Sequence, residues 1–354
     1  MMMPSIETGA LLGEPAQPCN SPFVVVQDHG ARVASVDEAG PKRSVYVYIN
    51  VFSITKISTA NEVFHAYFHL AAMWVEPELS RAEHFQEEGA WTPQFQFMNA
   101  VESPELSEEK VQVVSWRRGP AGEPVIEWSA KCRGAFRSQF DLGNFPFDAQ
   151  NLCLTISSQR VNVTLFEDRY DGRRSKLRRE YTMLPEFSVD APALAPREEL
   201  ALGKYATLDI TLVAYRRFAY HMWNVFFPVF LLTAMQFSAF AMPAAAVADR
   251  LGVTLTLVLS SVAYKYVVSQ NLPNISYLTL CDLYVLSSFV FMAAMVLQIA
   301  LSGISARHED KDVAQARDLV SERVFQLVFV AFHVMYAVVV LLALRLRRRK
   351  RKTT

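Results

Sequence analysis

The chain has 354 residues and carries 35 Lys+Arg against 35 Asp+Glu. That balance excludes an electrostatic footprint for nucleic acid, and the four cysteines (Cys19, Cys132, Cys153, Cys281) follow no metal-ligand spacing and suggest no disulfide framework. The informative quantity is the 51% apolar share, because it is spread unevenly: the sequence is polar and alternating to about residue 218, then breaks into four apolar runs.

Residues 1–40 are rich in Gly, Pro and Ala and read as a flexible leader. The first twenty hold no charged start followed by an apolar core, so they do not read as a secretory signal. From Val45 the run VYVYINVFSI alternates and is β-branched and aromatic, which predicts a strand. Similar short runs recur at 62–73, 95–100, 111–116, 126–136, 152–157, 187–190 and 205–216, separated by turn clusters such as RRGPAGEP and DAPALAP. Many short strands between turns predict a β-sandwich over residues 41–218. Within it, the basic stretch 171–180 reads as a solvated loop, and so does the acidic segment holding Glu102, Glu105, Glu108 and Glu109, with Ca²⁺ binding by these carboxylates the alternative.

The apolar runs predict helices over about 219–242, 247–270, 277–302 and 322–346, followed by a basic tail, 347–354. Each reaches the length of about 20 residues that crosses a bilayer core of about 30 Å. Pro228 inside the first removes a backbone donor and loosens that helix. The connection at about 302–321 is too short to hold a domain, so recognition falls to the β-domain and transport to the helices.

Five short patterns in one order resemble the pentameric ligand-gated ion channel (Cys-loop receptor) family. They are WVEPEL (74–79), WTPQFQFMNA (91–100), NFPFDAQNL (144–152), AYRRFAYHMWNVFFP (214–228) and NLPNISYLTLCDLY (271–284). The resemblance covers about residues 45–345 and implies a pentamer of an N-terminal β-sandwich ligand-binding domain and a four-helix transmembrane domain. It also implies a coupling zone of Phe145, Pro146, Asp148, Arg216 and Pro273, with Asp148 placed to pair with Arg216. The name-giving disulfide is absent, its positions being held here by Ser138 and Leu152, a departure that fits the bacterial branch. Cys132 and Cys153 are no substitute. If the strands flanking the loop pair, Cys132 lies about 16 Å beyond the residue opposite Cys153, against a disulfide reach of about 7 Å.

In the second apolar run, steps of three and four residues align Gly252, Thr256, Leu259, Ala263, Tyr266 and Gln270 on one face, about 27 Å long. By resemblance this face lines a central pore, with a hydroxyl ring at Thr256 and apolar constrictions at Leu259 and Tyr266. Asp249 stands at its inner end with Arg250, a possible ion-pair partner, next in sequence. Family members that pass anions place a Pro-Ala pair before that arginine; Ala248 and Asp249 stand here, implying cation selectivity.

The agonist site of the family lies between subunits under an aromatic box. Carried over, its positions hold Met98, Gln159 and Tyr205 on one face and His69 on the complementary one. With one aromatic of four, an amine agonist is weakly supported, and a proton, a divalent ion or an atypical small molecule stays open; His65 and His69 are titratable near pH 6.5. Expected partners are further, identical subunits, a small-molecule or ionic agonist, permeant monovalent cations and membrane lipids, with no cofactor and no resident metal. The RLRRRKRK terminus favours the cytoplasm by the positive-inside rule, whereas the family places both ends outside; the family orientation is adopted, with a multi-pass plasma (inner) membrane location. The alternative is a membrane solute sensor or transporter with a β-sandwich binding domain. No nucleophile–base motif or phosphate loop supports an enzyme.

Overall fold

The computed structural model describes residues 42–77, 79, 90–115, 123–167, 175–182, 184–196, 205–269, 276–308 and 311–353. The leader expected at 1–40 lies outside them. The chain divides into two compact units, Met1–Phe140 with Ala149–Tyr215, and Asp141–Asp148 with Arg216–Thr354.

The first unit is a β-sandwich. Its strands are β1 (Arg43–Ser58), β2 (Val63–Val75), β3 (Phe95–Phe97), β4 (Glu105–Ser115), β5 (Val125–Arg137), β6 (Ala149–Ser158), β7 (Val163–Glu167), β8 (Lys176–Leu177), β9 (Phe187–Val189), β10 (Ala193–Pro196) and β11 (Thr207–Arg216). One sheet runs β4-β5-β2-β1-β7 with β8 also on β1; the other runs β10-β11-β6-β3 with β9 on β11. Strand alternation fixes which side faces in: on β2, Phe64, Ala66, Phe68, Leu70, Ala72 and Trp74 point to the core. They meet Leu152, Leu154 and Ile156 of β6 and Leu208, Ile210 and Leu212 of β11. Each such fully buried Phe or Leu contributes about 1.5–3 kcal/mol.

Asn99 ties the sheets together through polar bonds. Its Nδ2 donates to the Arg137 and Cys153 carbonyls at 2.7 and 2.6 Å, and its Oδ1 accepts from the Thr155 N–H at 3.0 Å. The strands flanking the 141–148 loop therefore do not pair with each other, contrary to expectation: β5 and β6 lie in different sheets. Cys132 is nevertheless a free, buried thiol, with burial pushing its pKa up to about 12. Cys153 is disulfide-bonded, contrary to the expectation that the cysteines form no disulfide. Where the family disulfide would sit, Ser138 Oγ donates to the Asn151 carbonyl at 2.6 Å and accepts from the Cys153 N–H at 3.4 Å.

Of the acidic segment expected as a loop, Glu102 precedes the strand, while Glu105, Glu108 and Glu109 lie in the exposed start of β4, bulged between Ser107 and Lys110. The bulge, with Glu108 at φ 52°, aims Glu108 at Lys131 (2.6 Å) and Glu109 at the Trp128 indole N–H (2.7 Å). These two carboxylates are thereby engaged within the sheet.

Among its described residues the second unit holds four helices long and apolar enough to cross a membrane: α1 (Ala219–Ala241), α2 (Val247–Ser269), α3 (Leu280–His308) and α4 (Lys311–Thr353). α4 starts well before the expected 322 and continues through the basic segment expected as a tail. In α1, a π-turn at Met222–Phe226 immediately precedes Phe227 and Pro228, where the missing proline donor interrupts the regular ladder. The bundle core gathers Phe226, Tyr284, Phe332 and Tyr336, with Tyr284 4.8 Å from Tyr336 between ring centroids. His333 sits at its edge, with Nδ1 2.8 Å from the Phe329 carbonyl, which can only accept, and Nε2 3.2 Å from the Tyr284 hydroxyl.

Candidate functional site

The loop 141–148 belongs to the helical unit and is bound there through its backbone. The Leu280 and Cys281 N–H groups, at the start of α3, donate to the Gly143 and Phe145 carbonyls at 3.0 and 3.2 Å. A helix start leaves such donors without intrahelical partners, and the loop supplies the acceptors. The rest of the cap is local: Thr279 Oγ1 accepts from the Asp282 N–H while Asp282 Oδ2 accepts from the Thr279 N–H, both at 3.1 Å. Asp282, an ionisable residue near a membrane-helix end, is thereby assigned a capping role.

Side chains complete the anchoring. The expected pair of Asp148 and Arg216 is formed, bidentate, with Nε–Oδ1 at 2.8 Å and Nη2–Oδ2 at 3.3 Å, and both side chains are buried. Arg216 lies 4.8 Å over the Phe145 ring, whose edge meets His221 at 4.7 Å. Phe147 packs on Phe218 and Phe226. Pro146, joined to Phe145 by a cis peptide, is buried. Phe145, Pro146 and Phe147 at the apolar tip of the loop are thus all buried. Pro273 and Gln270 lie outside the described residues.

α2 has two chemically opposite faces. At about 100° per residue, Arg250, Thr254 and Ser261 fall on one side and are buried against the bundle. Asp249, Gly252, Thr256, Leu259, Ala263 and Tyr266 fall on the opposite side and are all exposed, Leu259 to 68% and Tyr266 to 67%. The Thr256 hydroxyl donates to the Gly252 carbonyl at 2.7 Å, so its oxygen lone pairs are what it offers outward. A Cβ on Gly252 would meet nothing within 4 Å, whereas one on Gly303 of α3 would fall 2.3 Å from Val247 Cγ2. Glycine at 303 is what lets α3 approach the start of α2.

Arg250 is not paired with its neighbour. Its guanidinium, 0% exposed, takes Asp318 of α4 bidentately at 3.1 and 2.7 Å, donates from Nε to the Ala239 carbonyl at 2.7 Å and lies 5.2 Å over Phe240. Asp249 makes no hydrogen bond or ion pair among the described residues. The sequence reading missed Asp318, which falls in a segment taken for a connection. Its signal was the spacing of Ala314, Asp318 and Ser321, which places an acid among small residues on one helix face.

The candidate ligand residues fall in two groups. Gln159 follows β6, where its N–H donates to the Gln94 carbonyl, and the preceding Ser158 N–H donates to Ala206, next to the exposed Tyr205. The Met98 N–H donates to Thr155 of the same β6. These three therefore lie just beyond strand ends of the β11-β6-β3 sheet. His69 stands on the other sheet, opposite Asn50 of β1 and Lys131 of β5, half-buried beside Tyr48. Burial holds its pKa below the ordinary value; Glu127 and Glu108 act against that, and Lys131 with it.

Residues 24–193 match the neurotransmitter-gated ion-channel ligand binding domain. Over 279 residues the chain is 24% identical to an acetylcholine-gated chloride channel subunit, acc-2, of Caenorhabditis elegans; the alignment covers 75% of this chain and 62% of that relative. The chain spans less than two thirds of the length of the curated relative it matches.

Proposed function

We propose that the chain is a member of the pentameric ligand-gated ion channel family, whose ligand-binding domain residues 24–193 match, and that it is one subunit of a homopentameric, cation-selective, ligand-gated channel in a membrane. The observation that carries the pore is the exposed stripe of α2, diametrically opposite the face buried in the bundle. Around a symmetry axis, Leu259 and Tyr266 would close the pore by dewetting, and the Thr256 oxygens would offer acceptors to a partly dehydrated cation. The outward apolar faces of α1, α3 and α4 would meet lipid.

Cation selectivity departs from the chloride preference in the relative's name. It is supported by the inner end of the stripe, where Asp249 is exposed and Arg250 is turned into the bundle and neutralised by Asp318. A ring of carboxylates with no guanidinium beside it concentrates cations and repels anions. In the same proposal an agonist binds where Met98, Gln159 and Tyr205 of one subunit face His69 of the next. Phe145, Pro146, Asp148 and Arg216, with Pro273, relay its binding to the pore.

The test is voltage-clamp recording from cells expressing the chain alone while pH, divalent ions, small amines and small acids are varied. A gated current whose reversal potential follows sodium, and loses that dependence in Asp249→Ala, is expected. A current that follows chloride in the unaltered chain refutes the cation reading. An agonist response unchanged by Tyr205→Ala moves the ligand site elsewhere.

A further inference from the structure

β6 and β11 are neighbours in the middle of their sheet, and alternation gives each of them two faces. The leucine and isoleucine side of both strands fills the sandwich core. The other side carries a polar row, in which Cys153, Thr155 and Ser157 of β6 stand opposite Thr211, Asp209 and Thr207 of β11. The opposing sheet packs on the core side and cannot cover this row, which in a two-layer sandwich faces water. It is covered all the same. Cys153, Thr155, Ser157 and Asp209 are only 2–7% exposed, whereas Asn151, next along the same row, is exposed. The covered strip from Cys153 to Ser157 is about 13 Å long, the span of about four extended residues.

The row is bonded as an interior is. The Thr155 hydroxyl donates to Asp209 Oδ1 at 2.7 Å, and the Ser157 hydroxyl donates to the Ala206 carbonyl at 3.3 Å. Cys153 is disulfide-bonded, so its sulfur carries no proton and the Thr211 hydroxyl donates to it at 3.6 Å. The chain has four cysteines, and Cys132 and Cys281 are free thiols, which leaves Cys19 as the remaining cysteine of the chain. Around it the sequence reads EPAQPCNSPF (14–23), with Pro15, Pro18 and Pro22. Prolines favour an extended path and lack the N–H that a helix needs, and Asn20 and Ser21 bring groups able to hydrogen-bond to a polar row. Residues 20–41 join Cys19 to the described chain. Extended at about 3.3 Å per residue they reach about 70 Å, against about 33 Å for the 10 residues of β6.

We propose that the segment around Cys19 is a strap, lying over the outward face of β6 and β11 and fastened there by a disulfide between Cys19 and Cys153. Pairing the two thiols releases two protons and two electrons, which a disulfide oxidant takes up by thiol–disulfide exchange, the chemistry of an oxidising compartment. The assignment does not rest on the channel reading. The test is peptide mapping of the full chain in detergent, alkylated with iodoacetamide before and after reduction, in the parent and in Cys19→Ser. A peptide pair joining Cys19 to Cys153, released by reduction, is expected in the parent, with Cys132 and Cys281 recovered as thiols. In folded Cys19→Ser, Cys153 should be alkylated about tenfold faster than the buried Cys132 and Cys281, which serve as internal references. Phosphine reduction of the folded parent, followed by the same alkylation, gives the same readout without a substitution. Cys153 recovered as a free thiol in the parent, a Cys153 bond to a second copy, or a mature chain that begins beyond residue 19 would each overturn the strap. So would a Cys153 that, once unpaired, is alkylated as slowly as Cys132.

Discussion

Replacing Asp318 with alanine tests the inner clamp of the helical bundle most directly. The carboxylate accepts two bonds from a guanidinium that is 0% exposed, so its removal strands a buried charge. Breaking a buried pair in this way costs about 3–5 kcal/mol. Arg250 would keep its Nε bond to the Ala239 carbonyl and its position over Phe240, which points to the lower half of that range. Replacing both partners, with Arg250→Met and Asp318→Leu, removes the stranded charge and should come within about 1–2 kcal/mol of the parent, since apolar replacements of buried pairs are often neutral. The assay is a double-mutant cycle on unfolding in mixed detergent, with the reversal potential as a second readout, because a released guanidinium next to Asp249 should reduce cation preference. A loss below about 1 kcal/mol in Asp318→Ala, or strict additivity of the two changes, would refute the reasoning.

The remaining predictions concern other parts of the molecule. Asp148→Ala leaves Arg216 buried against Phe145 without its carboxylate and should also cost about 3–5 kcal/mol, read as a lowered melting midpoint; a parental melt would show that the pair is dispensable. Gly303→Ala drives a methyl to 2.3 Å from Val247 and should cost about 1–3 kcal/mol, with Val247→Ala restoring most of it; no rescue would mean that the strain lies elsewhere. For His69, the unfolded chain takes up a proton first as pH falls, because burial depresses the folded-state pKa. Its contribution to stability is therefore full above about pH 6.5 and declines on acidification through the unfolded and then the folded value. His69→Gln should flatten the melting midpoint between about pH 5 and 8; an unchanged slope would assign the pH response to other groups.

Strand-like composition was enough to read the run 62–73 as a strand, which is β2, and length was enough for the helices. The start of β4 was not legible. Its glutamates are exposed and its alternation is broken by the bulge that turns Glu108 toward Lys131. Nor could local pattern reveal that β5 and β6 lie in different sheets, since the loop between them belongs to the helical unit rather than to a hairpin. Arg250 and Asp318 are 68 positions apart, and adjacency made Asp249 look like the natural partner.

The bonds from Leu280 and Cys281 to the carbonyls of Gly143 and Phe145 make the 141–148 loop a main-chain extension of α3. A load applied to that loop travels to the helix through peptide groups, along a path stiffer than side-chain contacts. Side-chain substitutions at 143 or 145 would leave this linkage in place, and only a change in the backbone itself, such as an ester at position 280 or 281, would cut it.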